Sequence, residues 1–542
     1  MIGLVNDTLR FLIARVILLL GAVFDLHQRI RIRRFAATQR RLRRKYRLHE
    51  DTPVVSYGGR VVESIRHTAV HAGRHATFAL TSGSTGEPKK ILYTRHRLRM
   101  LKLTFSDMFC RAVRAYGLKR TSLYVFSSFT QDESLTSMLL NESGLPPYLS
   151  TLQAPYRIQQ HTAIRALANE YGVTAVRLWI LTIANPGVLY ATNPSTISAF
   201  FDDLKTNWPT HSRLIGDWYT QPHRFDRTVR QIAQRVDSSN SSERLRLVAT
   251  SNNPVPLEHF APAVRAYVCW TGGYVKPFLD RLANHLPPAR YRLIPMYSMS
   301  TETVETETVF RNGDVYFLPL ATGVVYEFNE PKFSTPDQLK IGETHSLVVS
   351  DGYGLRRYQT GDLFECRRML DGLPDLAFVR RLALEYSFIG EKVTEQQLDI
   401  VFDQLRAQYS ETLADGFLTC VPSLPPNHRP HYKLVLIRDF HTYFTTHLIA
   451  LDCDRLLSNL NCEYKNKRTS GLLGPIDFIQ TSTADFAARF AVTWETQFKF
   501  LPLYQRTWES VEPRLDVPHL NASHISLSDK NTRQLTQTTL LQ

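Results

Sequence analysis

The sequence predicts an α/β protein in which a large N-terminal domain of mixed sheets and helices precedes a small α+β C-terminal domain. Three observations predict this fold. A chain of 542 residues is longer than one hydrophobic core usually fills. After Pro53, short apolar runs alternate with stretches of helical spacing, which is typical of α/β architecture. The pattern then starts again near Arg380 and Arg381, where we place the domain boundary.

Residues 1–50 predict a helical segment, because they are rich in Leu, Ile, Arg and Ala and contain no proline. Phe11–Phe24 is apolar except for Arg15, and a block of ten Arg or Lys follows between Arg29 and Arg47. The apolar stretch is shorter than the roughly 20 residues of a membrane span, and no secretory cleavage site follows it. Two alternatives remain: a helix packed on the main domain, or an interfacial helix whose arginines meet anionic lipid head groups.

The composition of the chain excludes some classes of function. The basic block supplies most of the net charge of +15, and no fingerprint of the usual nucleic-acid-binding modules is present, so we expect no nucleic-acid partner. The six cysteines form neither a CxxC pair nor a set with zinc-ligand spacing. Scattered thiols of this kind are typical of a reducing compartment, so we expect a cytoplasmic location. Whether residues 1–50 contact a membrane stays open.

Within residues 51–380, apolar runs predict buried strands separated by helices. These runs are Leu123–Phe126, Val176–Ile183 and Leu245–Ala249. From about Thr303 to Phe364 strand-like runs dominate. Asn312-Gly313 within this region is a hairpin turn signal.

Residues 381–515 predict the small domain, and residues 516–542 predict a polar, disordered tail. The small domain has a helical pattern at Thr394–Leu405, a strand-like run at Tyr432–Ile437 and a mixed stretch at Asp477–Thr493.

The segment Thr81-Ser82-Gly83-Ser84-Thr85-Gly86-Glu87-Pro88-Lys89 predicts a phosphate-binding loop. Glycines let a backbone approach an anion closely, and successive N–H groups and hydroxyls form a nest for phosphate oxygens. The segment lacks Walker spacing. It follows a strand-like run and precedes a helical stretch, Arg95–Arg111.

This loop resembles the fingerprint of the ANL superfamily of adenylate-forming enzymes, which ends in Gly-x-Pro-Lys. The resemblance implies ATP as a substrate, with Thr81, Ser82, Gly83, Ser84, Thr85, Gly86 and Lys89 around its phosphates. It also implies a large adenylate-forming domain and a small, mobile C-terminal domain. Lys89 would steady the β- and γ-phosphates.

Later motifs resemble the same superfamily in the same order. Gly272-Gly273 matches a turn that lines the acyl and adenine site. Ser298–Glu302 matches a motif in which Ser300 and Thr301 contact the nucleotide and Glu302 helps to hold Mg²⁺. The aromatic residue of that motif lies one place early here, at Tyr297. Tyr358-Gln359-Thr360-Gly361-Asp362 matches a motif in which Asp362 accepts hydrogen bonds from both ribose hydroxyls.

Strings around the junction resemble one branch, the plant auxin-conjugating acyl-acid amido synthetases and their bacterial relatives. The strings are Phe378–Arg381 with Arg381 as the hinge, Ser387–Glu395, Asn461–Arg468 and Gln497–Lys499. The resemblance implies that Lys499 bridges the substrate carboxylate and the α-phosphate. The phosphate loop, in contrast, has the general superfamily form rather than that branch's Ser-Ser-Gly-Thr-Ser variant.

The resemblance implies that the protein is a ligase. It would activate a carboxylic acid as an acyl-adenylate with release of pyrophosphate, and it would then transfer the acyl group to the amine of an amino acid. Glu302, Lys89 and Lys499 would be its catalytic residues. Two alternatives stay open: an acyl-CoA ligase that forms a thioester, and a non-catalytic nucleotide-binding protein. Candidate walls of the acyl pocket, each also compatible with the core, are Phe129, Trp179 and Trp270.

Overall fold

The computed structural model describes residues 2–56, 59–73, 76–80, 90–127, 129, 135, 139, 145–272, 275–296, 299–329, 333–381, 385–389, 391–413, 415–425, 428–439, 446–490 and 500–510. The chain begins with three helices, α1 (Ile2–Arg33), α2 (Phe35–Lys45) and α3 (Gly59–Ala72). Helices α1 and α2 agree with the helical prediction over residues 2–45, whereas residues 46–50 are not helical. The predicted tail, residues 516–542, lies outside the described residues.

An antiparallel hairpin and a long helix follow. The hairpin pairs β1 (Ala76–Leu80) with β2 (Lys90–Thr94), and α4 (Arg95–Ala115) begins directly after β2. The Thr94 side chain caps α4 by accepting a hydrogen bond from the Arg97 N–H. Helix α1 packs closely on α4, since a Cβ atom on Gly21 would lie 2.5 Å from the Cys110 carbonyl oxygen. The inner face of α1 thus agrees with the first alternative, in which the helix packs on the main domain.

A parallel four-stranded sheet forms the centre of the large domain. Its strands lie side by side in chain order and are β3 (Leu123–Val125), β4 (Val188–Tyr190), β5 (Ala266–Trp270) and β6 (Arg292–Met296). The helices among them are α5 (Pro147–Gln153), α6 (Thr162–Tyr171), α7 (Val173–Ala184), α8 (Pro194–Thr206), α9 (Trp208–Thr220), α10 (Arg227–Val236), α11 (Ser241–Thr250), α12 (Leu257–Phe260) and α13 (Lys276–His285). Parallel strands joined through helices confirm the α/β class.

Two of the three predicted strands in this part are wrong. Val176–Ile183 lies inside α7 and Leu245–Ala249 lies inside α11, whereas Leu123–Phe126 is confirmed as β3. Helix α7 is buried on all sides, from Thr174 to Ala184. A helix without a polar face has no 3.6-residue periodicity in its sequence, so its apolar run resembles a buried strand.

Antiparallel strands dominate the next part of the chain, as predicted. The pair β7 (Glu307–Arg311) and β8 (Asp314–Leu318) turns at Asn312 and Gly313, which have φ of 52° and 84°. Both angles are left-handed, as a two-residue hairpin turn requires. A four-stranded sheet follows in the order β12-β11-β10-β9. Its strands are β9 (Val325–Asn329), β10 (Thr344–Ser350), β11 (Tyr358–Leu370) and β12 (Leu373–Arg381).

The C-terminal part is a smaller α+β unit. Its elements are β13 (Glu385–Tyr386), β14 (Val393–Thr394), α14 (Glu395–Gln408), α15 (Ser410–Leu413), β15 (Phe417–Ser423), β16 (His431–Ile437), α16 (Thr446–Leu460), α17 (Cys462–Thr469), β17 (Asp477–Thr481) and α18 (Thr483–Phe490). The helix, strand and mixed stretch predicted here are confirmed as α14, β16, and β17 with α18. The domain limits at residues 50, 380 and 515 stay predictions.

Candidate functional site

The candidate site begins at the carboxyl ends of the parallel strands, where α/β proteins commonly bind ligands. Gly272 follows β5. A Cβ atom on Gly272 would lie 3.1 Å from the Trp270 Nε1 atom and 3.4 Å from the Phe378 Cβ atom. The Trp270 and Phe378 rings are 5.3 Å apart, so this turn of the large sheet meets β12. A side chain at this position would therefore press on Trp270, and glycine suits the close approach. Gly273 lies outside the described residues.

The predicted phosphate loop connects the two strands of the β1–β2 hairpin. Leu80 pairs with Lys90 at the end of this hairpin that adjoins the loop. The predicted loop residues Thr81, Ser82, Gly83, Ser84, Thr85, Gly86 and Lys89 lie outside the described residues. A strand before the loop and a helix after it were predicted, whereas β2, which lies between the loop and α4, was not.

The second predicted motif forms a turn after β6. Ser300 N–H donates to the Thr303 carbonyl at 3.0 Å, and the Ser300 hydroxyl accepts from the Thr303 N–H at 3.3 Å. The Tyr93 hydroxyl donates to the Thr301 carbonyl at 2.9 Å. Burial raises the pKa of Tyr93 to about 12, so this hydroxyl keeps its proton and can donate. The phosphate-loop hairpin, through β2, therefore holds the backbone of the Ser300–Glu302 turn.

Glu302 and Tyr358 meet although they are 56 residues apart in the chain. The Tyr358 hydroxyl donates to Glu302 Oε1 at 3.2 Å, and both side chains are buried. Tyr358 begins β11, where Val55 N–H donates to the Arg357 carbonyl and Gln359 N–H donates to the Val55 carbonyl, each at 2.9 Å. Two sequence motifs thus converge on one buried carboxylate.

Arg97, which the sequence analysis did not single out, supports the same turn. It lies on α4 and is buried. Its guanidinium donates to the Glu302 carbonyl at 2.5 Å and pairs with the Asp351 carboxylate at 3.0 Å. The Tyr93 and Tyr353 rings lie on it at 4.5 and 4.8 Å. Arg97 therefore connects the hairpin, the Ser300–Glu302 turn and the loop before β11.

Asp362 lies on the same strand as Tyr358, four residues further on, and is buried. It follows Gly361, whose φ of 82° requires a residue without a side chain. The Asp362 N–H donates to the Thr360 hydroxyl at 3.1 Å, and its backbone pairs with that of Arg381 on β12. The Arg381 side chain lies outside the described part of the chain. The predicted ribose-binding aspartate and the predicted hinge are therefore neighbours in the sheet.

Lys499, Tyr297 and Ser298 lie outside the described residues. The residue after Lys499 in the chain, Phe500, is buried and packs 5.5 Å from the Phe278 ring of α13, with Phe417 of β15 at 5.6 Å from the same ring. The small domain thus contacts the large domain through this aromatic group.

Two strings of the small domain also converge. The Asn461 amide donates to the carbonyl oxygens of Glu391 at 2.8 Å and Lys392 at 3.2 Å. The Glu391 carboxylate accepts from the Phe388 N–H at 2.7 Å and from the Tyr432 hydroxyl at 2.7 Å. The Ser387–Glu395 and Asn461–Arg468 strings therefore form one buried, hydrogen-bonded cluster.

Of the candidate pocket walls, Trp179 is part of the core. It is fully buried in α7 and packs against Trp218 at 5.0 Å. Its full burial agrees with the core alternative that was open for this residue. Trp270 lies beside Gly272 at the sheet edge and stays a candidate. Phe129 is buried 5.9 Å from the Arg177 guanidinium and also stays a candidate.

The fold of this chain is that of a solved acyl acid amido synthetase structure. The solved structure of GH3.15 acyl acid amido synthetase in complex with 2,4-DB superimposes with a TM-score of 0.64 and 16% identity, covering 85% of this chain and 87% of that chain. Residues 308–381 match the GH3 family central domain. This segment contains Tyr358, Asp362 and Arg381.

The similar curated proteins are amido synthetases. Indole-3-acetic acid-amido synthetase GH3.3 of Arabidopsis thaliana is 21% identical over 216 residues, which are 37% of this chain and 36% of that protein. Indole-3-acetic acid-amido synthetase GH3.10 of the same plant is 29% identical over 137 residues, 25% of this chain and 21% of that protein. Jasmonoyl--L-amino acid synthetase JAR4 of Nicotiana attenuata is 31% identical over 91 residues, 17% of this chain and 15% of that protein. The predicted resemblance to the amido synthetases is confirmed, and the matches span about a third or less of these relatives.

Proposed function

We propose that this chain is a ligase that activates a carboxylic acid with ATP as an acyl-adenylate and then joins the acyl group to an amino acid. One observation carries the proposal. The buried Tyr358–Glu302 hydrogen bond joins the two motifs that would bind ribose and magnesium, next to the hairpin of the phosphate loop. The amido synthetases among the similar proteins support the amide as the product.

In the first step, a substrate carboxylate oxygen attacks the α-phosphorus of ATP. A P–O bond forms to the acid, and the bond to pyrophosphate breaks. Asp362 would accept hydrogen bonds from the ribose hydroxyls, and Ser300 and Thr301 would contact the nucleotide. Lys89 and Lys499 would offset charge on the phosphates and the attacking carboxylate. Catalysis then depends on positioning and electrostatics, and no covalent enzyme intermediate is needed.

The described residues fit a magnesium ion bound by Glu302. Mg²⁺ commonly binds one or two carboxylates together with phosphate oxygens and water. Glu302 provides one buried carboxylate held by Tyr358. In the described ranges no group of three or more His, Cys, Asp or Glu could form a site made of protein ligands alone. Bound there, the ion would neutralise phosphate charge.

In the second step, the amine nitrogen attacks the acyl carbon. A C–N bond forms, the C–O bond to AMP breaks, and the amine loses a proton to water. Rotation of the small domain about Arg381 would exchange the groups that face the acyl-adenylate between the two steps. Arg380 next to this position donates to Gln396 of α14 at 3.1 Å, which is a contact that such a rotation would change.

The proposal is tested by carboxylate-dependent ATP–pyrophosphate exchange across a library of acids, followed by a panel of amino acids and coenzyme A. We expect exchange with one class of acid and product only with amino acids. Asp362→Ala should lower kcat/KM for ATP about 10- to 100-fold, as expected for lost hydrogen bonds to a charged group. Glu170→Gln, an exposed carboxylate on α6, is the matched control. Absence of exchange with every acid contradicts the proposal, and product with coenzyme A alone favours the thioester ligase.

We also propose that the protein works in the cytoplasm. All six cysteines are free, and five of them are buried, as suits a reducing compartment. Among the helices described, none is both long and apolar enough to cross a membrane. The peripheral membrane contact considered for residues 1–50 is compatible with this location.

A further inference from the structure

Helix α1 departs from the usual rule for a surface helix, because most of its fully buried residues are polar or small and many of its large apolar residues are exposed, although Ile17 and Leu18 pack partly against the core. Its buried residues are Gly3, Asn6, Arg10, Ala14, Gly21, Gln28 and Ile32. In contrast, Leu12, Leu19, Val23 and Leu26 are 54%, 71%, 61% and 61% exposed. A surface helix normally buries its apolar side. The reversal therefore calls for an external partner.

Hydrogen bonds fix this orientation. The Asn6 amide donates to the Asp237 carbonyl at 2.8 Å, and Arg10 donates to the Val236 carbonyl at 2.5 Å. Gln28 donates to the Thr308 carbonyl at 3.4 Å. Breaking these bonds would leave buried polar groups unpaired, so the helix cannot rotate its apolar side inward at low cost.

The outer face forms one long apolar surface. From Leu4 to Ile30 it extends about 40 Å at 1.5 Å per residue. Contiguous apolar surfaces of this size on soluble domains usually mark an interaction site. The length suits an extended partner surface rather than a pocket.

The charges on α1 and α2 indicate which kind of partner fits the apolar face of α1. The charged side chains exposed on α1 are Arg15, Arg29 and Arg33. Both acidic residues of the helix point to the domain instead, since Asp7 binds Arg10 and Ser239, and Asp25 pairs with Arg114 at 3.1 Å. Further exposed arginines follow α1, namely Arg34 before α2 and Arg40, Arg41 and Arg44 in the second half of α2.

We propose that the outer face of α1 docks in the plane of an anionic membrane surface, with its apolar side chains inserted at the interface and the arginines of α1 and α2 on lipid phosphates. An apolar stripe flanked by basic residues is the pattern of interfacial helices. A second copy of the chain fits less well, because pairing two such faces would bring arginines together. This inference does not depend on the reaction catalysed.

The test is co-sedimentation of the full chain with phosphatidylcholine vesicles, with and without phosphatidylserine. We expect binding that requires phosphatidylserine and weakens with salt. The double variant Leu19→Glu, Val23→Glu should lose about tenfold or more in the vesicle partition coefficient, because two inserted apolar side chains become charged. The matched control is Val70→Glu, Ile341→Glu, which changes two equally exposed apolar residues elsewhere by the same charge.

Three outcomes overturn the inference: no vesicle binding by the unmodified chain, equal loss in both double variants, or a dimer in sedimentation analysis that only Leu19→Glu, Val23→Glu dissociates. Because these side chains are exposed, both variants should fold. ATP–pyrophosphate exchange without vesicles should be the same in both and in the unmodified chain. Loss of exchange in every form would count against the proposed reaction alone.

Discussion

The large and the small domain each contain a buried polar cluster, and the two clusters differ in whether the motif residues are held by their backbone or bind other groups with their side chains. In the large domain, Tyr93 and Arg97 bind the backbone oxygens of Thr301 and Glu302. In the small domain, the side chains of Glu391 and Asn461 themselves bind backbone groups. The first arrangement positions a turn that carries the side chains proposed to bind nucleotide and magnesium, whereas the second uses the side chains to fasten the fold.

A resemblance in sequence can therefore reflect either shared chemistry or shared structural contacts. The Ser300–Glu302 and Tyr358–Asp362 motifs resemble the amido synthetases because of the chemistry we propose for them. The Ser387–Glu395 and Asn461–Arg468 strings, by their contacts, have an architectural role. Changes in the large-domain cluster should therefore reduce catalysis more than stability, and changes in the small-domain cluster should do the opposite.

The largest effect is expected from Glu302→Gln. Removing the carboxylate charge at the proposed magnesium site should lower the exchange rate about 10²- to 10³-fold, the usual loss for one preorganised electrostatic contact in an active site. The free energy of unfolding should change much less, because the amide can still accept the Tyr358 hydrogen bond. The measurement pairs exchange kinetics at varied Mg²⁺ with urea unfolding. If the exchange rate of Glu302→Gln equals that of Glu170→Gln, the large-domain cluster does not have the catalytic role that the comparison gives it.

A smaller loss is expected from Arg97→Lys. Lysine keeps the positive charge but lacks the planar fork that reaches Asp351 and the Glu302 carbonyl together. We expect kcat to fall about tenfold, because a displaced catalytic turn costs rate even without direct substrate contact. As a control, Arg99→Lys changes an exposed arginine on the same helix. A purely structural role would lower the folded fraction and leave kcat per folded molecule unchanged.

Local signals explain what the sequence could predict. The Asn312-Gly313 turn needs two left-handed residues, and the α14 start at Thr394 has a capping box with Gln397. Both depend on neighbours in the chain. The motifs at Ser300–Glu302 and Tyr358–Asp362 were found because they resemble known strings, not because their contact could be foreseen.

Tertiary signals explain what the sequence could not predict. Helix α7 is buried on every side, so its sequence carries no helical periodicity. Arg97 lies in the run Arg95-His96-Arg97-Leu98-Arg99, where nothing distinguishes it from a solvent-exposed basic residue. Only the packing of β2 and the loop before β11 makes it a buried positioning residue.

Asn461→Ala examines the small-domain side of the comparison. The change removes two hydrogen bonds to the Glu391 and Lys392 carbonyls and the cap of α17, where Asn461 accepts from the Tyr464 N–H at 2.9 Å. We expect a loss of about 2 kcal/mol in local stability. Peptide-level hydrogen exchange over residues 446–473 measures this without assuming two-state unfolding. Asn466→Ala, exposed on the same helix, is the control. ATP–pyrophosphate exchange at a temperature where the small domain stays folded should be unchanged.

The smallest expected effect is the pH dependence of the stabilisation that Glu391 provides. Burial raises the pKa of Glu391, but hydrogen bonds from the Phe388 and Ile389 N–H groups and the Tyr432 hydroxyl outweigh it, so the pKa lies below its ordinary value of 4.5. Between the lowered pKa and 4.5, the unfolded chain binds more protons at this group than the folded chain. The stabilisation by Glu391 is therefore complete above pH 4.5 and disappears as the pH falls through the lowered pKa.

Glu391→Gln should cost about 1 kcal/mol at neutral pH, because the amide cannot accept from both N–H groups as the carboxylate does. This cost should shrink as the pH falls below 4.5. Hydrogen exchange over residues 385–408, corrected for the intrinsic rate at each pH, measures the difference from the unmodified chain. A cost that stays constant on acidification would mean that packing, not the carboxylate charge, fastens this cluster. The small domain would then depend on charge less than the large domain does.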